Sequence, residues 1–182
     1  MKQSGDWCID EFVVDKASAM IFNIREKHSR YITPGTYKRL TRAGETIMSN
    51  TPAELSDSEG FVFAASRGDI LISGLGMGLV VWEVLKHKGV RSITVIEKEA
   101  DVITLVGPDF ADEARVEIVH CGIFNWKPVK LYDVAWHDIW DGISAGNLEE
   151  MDTLLEKFEK FVDRQFMWCE DLCRLEEVRS AY

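Results

Sequence analysis

The sequence predicts an α/β fold built on a parallel sheet, and three observations carry that prediction. From about Arg67 onward, runs rich in β-branched residues alternate with helical ones, the pattern of parallel strands joined by crossover helices. One such run is followed at once by Gly74-Leu75-Gly76-Met77-Gly78 and then by a helical run, so the glycines turn the chain from strand to helix. The next strand ends in Glu97, nineteen positions beyond Gly78, which puts a carboxylate at the strand ends where such sheets bind ligands.

Each element can be justified in turn. Asp69 to Ser73 (Asp-Ile-Leu-Ile-Ser) is the first buried strand, its Ile70-Leu71-Ile72 centre fit for burial on both faces. Leu79 to Lys88 is predicted as a helix stopped by Gly89, and Arg91 to Glu97 as the second strand. A helix over roughly Lys98 to Val106 leads to a third strand, Val116 to Cys121, and Leu131 to Trp136 forms a fourth. Asp141-Gly142 turns the chain into an amphipathic helix over Asn147 to about Asp163, with Leu148, Met151, Leu154, Leu155, Phe158, Phe161 and Val162 on its apolar face. Gln165 to Cys169 is a short fifth strand before a last helix. Upstream, Trp7 to Val14 is a strand, Lys16 to Lys27 a helix, and Tyr31 to Ser58 a stretch punctuated by Pro34-Gly35, Ala43-Gly44 and Asn50-Thr51-Pro52 turns. The expectation is one domain, with residues 1–65 a small hairpin-and-helix lid whose later part, Pro52 through Ala65, leads into the core of residues 66–182.

Composition narrows the class. A chain of 182 residues, 46% hydrophobic and 29% charged, fits one soluble globular domain. Apolar runs such as Leu79 to Trp82 fall far short of a membrane span, and Met1-Lys2-Gln3-Ser4-Gly5-Asp6 lacks the order of a signal peptide, so a cytoplasmic protein with no membrane partner is expected. A formal net charge of −10 repels phosphate backbones, which disfavours nucleic acid and favours small or cationic substrates. The cysteines, Cys8, Cys121, Cys169 and Cys173, form no disulfide framework. Neither Cys169 with Cys173 nor His120 with Cys121 is completed to a tetrahedral set, so no metal site is expected.

The glycine turn brings a ligand close to the backbone, because glycine tolerates positive torsions and has no side chain in the way. A carboxylate at Glu97 can accept both hydroxyls of a ribose. A dinucleotide fold uses similar parts, but here one residue, Met77, separates the last two glycines where that fold has two.

The GxGxG spacing resembles motif I of the class I methyltransferases that use S-adenosylmethionine (SAM). Arg115 to Gly122 resembles motif II and Leu131 to Asp138 motif IV, so the resemblance covers about Arg67 to Asp141. Within that group the chain looks most like the spermidine-synthase-like branch: Ile72 stands where methyltransferases usually keep an acid, Asp138 and Asp141 are spaced like the branch's gatekeeping acids, and Gly44 to Glu54 resembles its pre-core segment. Shortened proteins with similar Met-Ser-x-Thr-Pro and Trp-His-Asp-Ile-Trp runs look like ones encoded by tailed bacteriophages. The resemblance implies a Rossmann-like class I methyltransferase sheet, shortened at the C-terminus. It also implies a cofactor site of Ser73, Gly74, Leu75, Gly76, Gly78, Glu97, Lys98, Gly122 and Ile123, holding SAM or decarboxylated SAM.

Three departures from the family pattern bear on activity. Gly122 replaces the carboxylate that commonly meets the adenine amino group, leaving backbone contacts and the Ile123 side chain to hold adenine. Met48 and Ala53 stand at the polyamine synthases' glutamine and aspartate positions, although Glu54 matches. The terminal antiparallel strands that complete the family's sheet are not recognisable in the sequence, and a sheet edge left open in this way invites a homo-oligomer.

For the chemistry, Asp138 is expected at the end of the fourth strand, as a base, as a clasp for the methionine ammonium, or as a cap on the following turn. His137 is a candidate to share the proton or to sit as a hydrogen-bonded rim residue. Asp141, Trp140 and Glu54 are the substrate-side candidates: Asp141 to anchor a cation, Trp140 to stack on adenine or face a sulfonium. Trp136 is expected to point away from the Asp138 side. The favoured function is a SAM-dependent methyltransferase of a small molecule. The alternatives are an aminopropyltransferase like spermidine synthase, or a non-catalytic nucleoside-binding or interaction protein.

Overall fold

A computed structural model describes residues 1–24, 26 and 30–180 of the chain. Four antiparallel strands come first in spatial order β1-β2-β3-β4: β1 (Lys2–Ser4), β2 (Trp7–Val14), β3 (Gly35–Arg42) and β4 (Glu45–Ser49). The β3–β4 hairpin turns at Ala43 and Gly44, both at positive φ, the primed-turn geometry that matches strand twist. Helix α1 (Lys16–Asn23) starts where the Asp15 carboxylate accepts the Ser18 N–H at 2.7 Å. The expected extension to Lys27 lies outside the described residues. Thr51 then precedes α2 (Pro52–Ala64), whose first position is a proline with no N–H to leave unpaired.

The core sheet is wholly parallel, in the order β7-β6-β5-β8-β9. It comprises β5 (Arg67–Ser73), β6 (Gly89–Glu97), β7 (Val116–His120), β8 (Tyr132–His137) and β9 (Val162–Met167), linked by α3 (Leu79–Leu85), α4 (Ala100–Val106) and α5 (Leu148–Phe158), with α6 (Glu170–Ser180) following. Both faces of β5 are buried. Ile70 and Ile72 pack with Phe61 of α2, Val81 and Val84 of α3 and Val102 of α4, while Leu71 packs on the other side with Met151, Leu154 and Phe158 of α5. The chain leaves β5 toward β6 and β7 on one side and returns to β8 and β9 on the other. A crevice therefore opens at the strand C-termini between β5 and its neighbours.

Two expected boundaries are corrected. Gly89 does not stop a helix; α3 ends at Leu85, and Gly89 opens β6 opposite Arg67. A Cβ at Gly89 would lie 2.8 Å from the Ser66 carbonyl oxygen, so strand approach explains the glycine. The amphipathic helix ends at Phe158 instead of about Asp163, because Val162 pairs with Tyr132 as the first residue of β9. Its apolar side chain supports either assignment, and the sheet supplies the partner. The fifth strand accordingly runs over Val162–Met167 and not Gln165 to Cys169.

Candidate active site

A cavity of about 340 Å³ lies between the four-stranded lid and the C-terminal ends of the core strands. Its core wall is built from the glycine turn. Gly74 holds φ +95°, and a Cβ there would strike the Asp138 carbonyl oxygen, so turn and β8 end can close together only without a side chain. Gly76, at φ +50°, lies under the Met48 sulfur of the lid, which also accepts the Met77 N–H at 3.2 Å. Gly78 caps α3 behind the turn, against Phe110, and does not line the cavity.

Glu97 is 6% exposed at the end of β6. One carboxylate oxygen accepts the Leu75 N–H and the other the Glu99 N–H, each at 2.8 Å. These bonds fix the carboxylate against the glycine turn while leaving each oxygen a second lone pair. Lys98, Gly122 and Ile123 continue this wall, and only the Asn125 amide, 3.7 Å away, approaches the place a Gly122 side chain would take.

Asp138 and Glu54 also line the cavity, and together they wall a small recess beside it. Burial raises the Asp138 pKa to about 7, the Glu54 charge adds to the rise, and the Trp136 indole N–H offsets part of it. Glu54 is likewise raised by burial, against the Ser49 N–H that it accepts and the charge of Arg30. Asp141 stands at the mouth in an ion pair with Arg42 of β3, whose guanidinium also lies 5.4 Å from the Trp7 ring centroid. Trp140 lines the cavity and donates its indole N–H to Glu150 at 2.8 Å.

Besides Gly78, two expected site residues lie elsewhere. Ser73 and His137 are fully buried within the sheet, on the α5 side, where the His137 ring stacks on Phe158 with centroids 5.4 Å apart. His137 Nδ1 is 2.8 Å from Ser73 Oγ and Nε2 is 3.2 Å from Gln165 Oε1. Because the Gln165 amide nitrogen donates to the Leu155 carbonyl, Gln165 Oε1 is the acceptor, so Nε2 carries the proton and Nδ1 accepts from Ser73. Desolvation lowers the His137 pKa to about 4, leaving a neutral ring that ties strands together and never faces the cavity. Alternation along β8 puts Trp136 and Asp138 on the same side; Trp136 lines the cavity, contrary to expectation, and stacks on Phe61.

No known family model matches the chain. Over 90 residues it is 30% identical to polyamine aminopropyltransferase 1 of Streptomyces coelicolor, a match spanning 43% of this chain and 17% of that protein's length. Among solved structures, coclaurine N-methyltransferase bound to N-methylheliamine and S-adenosylhomocysteine (SAH) superposes with a TM-score of 0.50 at 17% identity, over 63% of this chain and 34% of that one. The fold is that of the Rossmann-like methyltransferases. A complex of DhpI with SAH aligns over 60% of this chain and 51% of that one, with a TM-score of 0.48 and 20% identity.

The lid contributes what the sequence did not reveal. Trp7, Leu40, Arg42 and Met48 close the methyltransferase-fold cavity from above, and Glu150 and Trp168 wall its side. Alternation along β2 and β3 distinguishes their two faces, but nothing in the sequence says which face docks on the core. Among the described residues, no group of three or more His, Cys, Asp or Glu side chains is placed to hold a metal, and no helix is long and apolar enough to cross a membrane.

Proposed function

We propose that this chain is a SAM-binding transferase and that it methylates a small molecule. The observation that carries the reading is Glu97, a buried carboxylate held by two backbone N–H groups so that it faces the cavity beside a glycine turn that excludes side chains. Ribose hydroxyls are the natural donors to such an acceptor. The turn's Met77 N–H is taken by the Met48 thioether, and this supports an adenosyl ligand over a dinucleotide, whose pyrophosphate would want that donor. The nucleoside end would rest on Ile123 and the Gly122 backbone, with the methionine end at Gly74 to Gly76. SAM supplies an electrophilic carbon bonded to sulfur. Asp138, whose pKa burial raises to about 7, can take a proton from an acceptor.

Aminopropyl transfer from decarboxylated SAM is the second reading, supported by the local match to polyamine aminopropyltransferase 1. The Arg42–Asp141 ion pair weighs against it, since a guanidinium already neutralises the acid expected to anchor a diamine.

Calorimetric titration with SAM, SAH, decarboxylated SAM and NAD separates these readings. SAM and SAH are expected to bind and NAD to fail; a folded sample that binds no adenosyl ligand overturns both transferase readings. Glu97→Ala is expected to weaken SAM binding by about 1–3 kcal/mol, the loss of a buried charged acceptor. Unchanged affinity removes Glu97 from the site.

A further inference from the structure

The cavity crosses the strand ends in the order of the sheet. Gly122 follows β7, Glu97 ends β6, the glycine turn follows β5 and Asp138 follows β8, so Gly122 and Asp138 lie three strand spacings, roughly 14 Å, apart. A nucleoside whose ribose meets Glu97 and whose reacting carbon lies toward Asp138 sends its base to the β7 side. There the Cys121 N–H donates to the Glu97 carbonyl at 2.9 Å, which holds the next residue, Gly122, beside the ribose acceptor. Ile123, 5% exposed, and Phe124 supply apolar surface for the ring.

The exocyclic amino group of adenine is a donor and needs an acceptor. The Gly122 carbonyl has both lone pairs engaged, since the Asn125 and Trp126 N–H groups donate to it at 2.9 and 3.0 Å. The Phe124 carbonyl accepts from Lys157 Nζ. Gly122 has no side chain, and apart from its chain neighbours a single atom lies within 4 Å of the place one would take: the Asn125 amide nitrogen, at 3.7 Å. Asn125 is exposed, and its amide makes no hydrogen bond among the described residues.

We propose that Asn125 selects the base, its Oδ1 accepting from the adenine amino group in the open space beside Gly122. The two N–H groups that converge on the Gly122 carbonyl close residues 122–126 into one turn, so the Asn125 side chain is carried back to Gly122 by the backbone itself. No bond fixes which end of the amide faces that space, and rotation about the last side-chain bond exchanges oxygen for nitrogen. A neutral amide also holds an amino group less firmly than a carboxylate, because charge-assisted bonds are about twice as strong. Adenine is thus recognised here, but weakly. This assignment rests on the SAM-binding reading and adds to it the residue that selects the base.

The test is calorimetric titration of the full chain with SAH and with its purine analogue, which carries hydrogen in place of the 6-amino group and is otherwise identical. The native protein is expected to prefer SAH by about three- to tenfold, the worth of one neutral hydrogen bond. Asn125→Ala is expected to weaken SAH by that factor and leave the analogue unchanged, so that the preference disappears. Asn125→Asp is expected to widen the preference beyond the native value, because a carboxylate accepts from the amino group at either oxygen. A native protein without preference, or a preference that survives in Asn125→Ala, overturns the proposal. So does an equal loss for both ligands in that variant, which would mean that Asn125 acts through the turn and not on the base. A folded native protein that binds neither ligand overturns the SAM-binding reading together with the assignment, whereas SAH binding with no dependence on Asn125 overturns the assignment alone.

Discussion

His137 and Asp138 are adjacent in the chain, yet their proton equilibria pull stability in opposite directions. The His137 pKa falls from 6.5 to about 4 on folding, so the unfolded chain binds more protons in that window and stability is lost as pH falls through it. At about 1.4 kcal/mol per unit, the loss is about 3 kcal/mol. The Asp138 pKa rises from 3.8 to about 7, so its folded form binds more protons, and stability is lost as pH rises from about 3.8 to 7. The two slopes overlap between pH 4 and 6.5 and offset one another. Urea denaturation across that range is therefore expected to show a shallow pH dependence for the native sequence. Asp138→Asn should expose the His137 slope, with stability falling steeply on acidification, and it should stabilise the protein above pH 7. A variant whose profile parallels the native one would mean that Asp138 titrates as an ordinary surface carboxyl.

At the scale of elements, three of the lid's contacts with the core border or brace the cavity. Ser4 donates to Asp101 of α4, Arg42 pairs with Asp141, and Met48 covers the glycine turn. Arg42 and Asp141 are both partly exposed, so Arg42→Ala is expected to change global stability by no more than about 1 kcal/mol. Local opening should respond more: amide hydrogen exchange in the Gly74 to Gly78 turn is expected to quicken in that variant, and unchanged exchange would show that the pair does not hold the lid. Gly76→Ala combines an unfavourable positive φ with a collision on the Met48 sulfur, and about 1–3 kcal/mol of destabilisation is expected by denaturant titration.

The same elements mark how far the sequence could be read. β2 matches its expected span, Trp7 to Val14, because alternation and flanking turns both act locally. The glycine turn and Glu97 were legible because their chemistry is confined to one strand–turn–helix unit and the next strand end. Gly89 and Val162 were misassigned because each is explained by a partner strand remote in the chain, Arg67 in one case and Tyr132 in the other. His137 beside Asp138 reads equally as a proton-sharing group or a hydrogen-bonded rim residue. What excludes both is a three-residue hydrogen-bonded chain through Ser73 and Gln165, which only the assembled sheet brings together.

For the whole molecule, binding and folding are linked through one cavity. Its walls come from the lid, the glycine turn and the ends of β6 and β8, so a locally unfolded chain cannot retain the site. SAM at a free concentration of 100 times its dissociation constant is expected to raise unfolding free energy by about 2.7 kcal/mol, measurable as a shift in denaturant midpoint at unchanged slope. A midpoint that does not move would mean that SAM fails to distinguish folded from unfolded chain.

The order of strands in the parallel sheet also sets a sequence in time. β5 lies at the centre and is the first core strand to be synthesised, but its second neighbour, β8, follows only after β6 and β7, with Ile70 waiting for Val134. The lid strands, each paired with its predecessor in the chain, carry no such delay. A nascent chain can complete its lid early and still lack half the floor beneath it. Asp138, which arrives with the end of β8, is thus set after the lid and the glycine turn. Glu150 and Trp168 complete the wall only later, and capture of a ligand there would report that the second half of the sheet has joined the first.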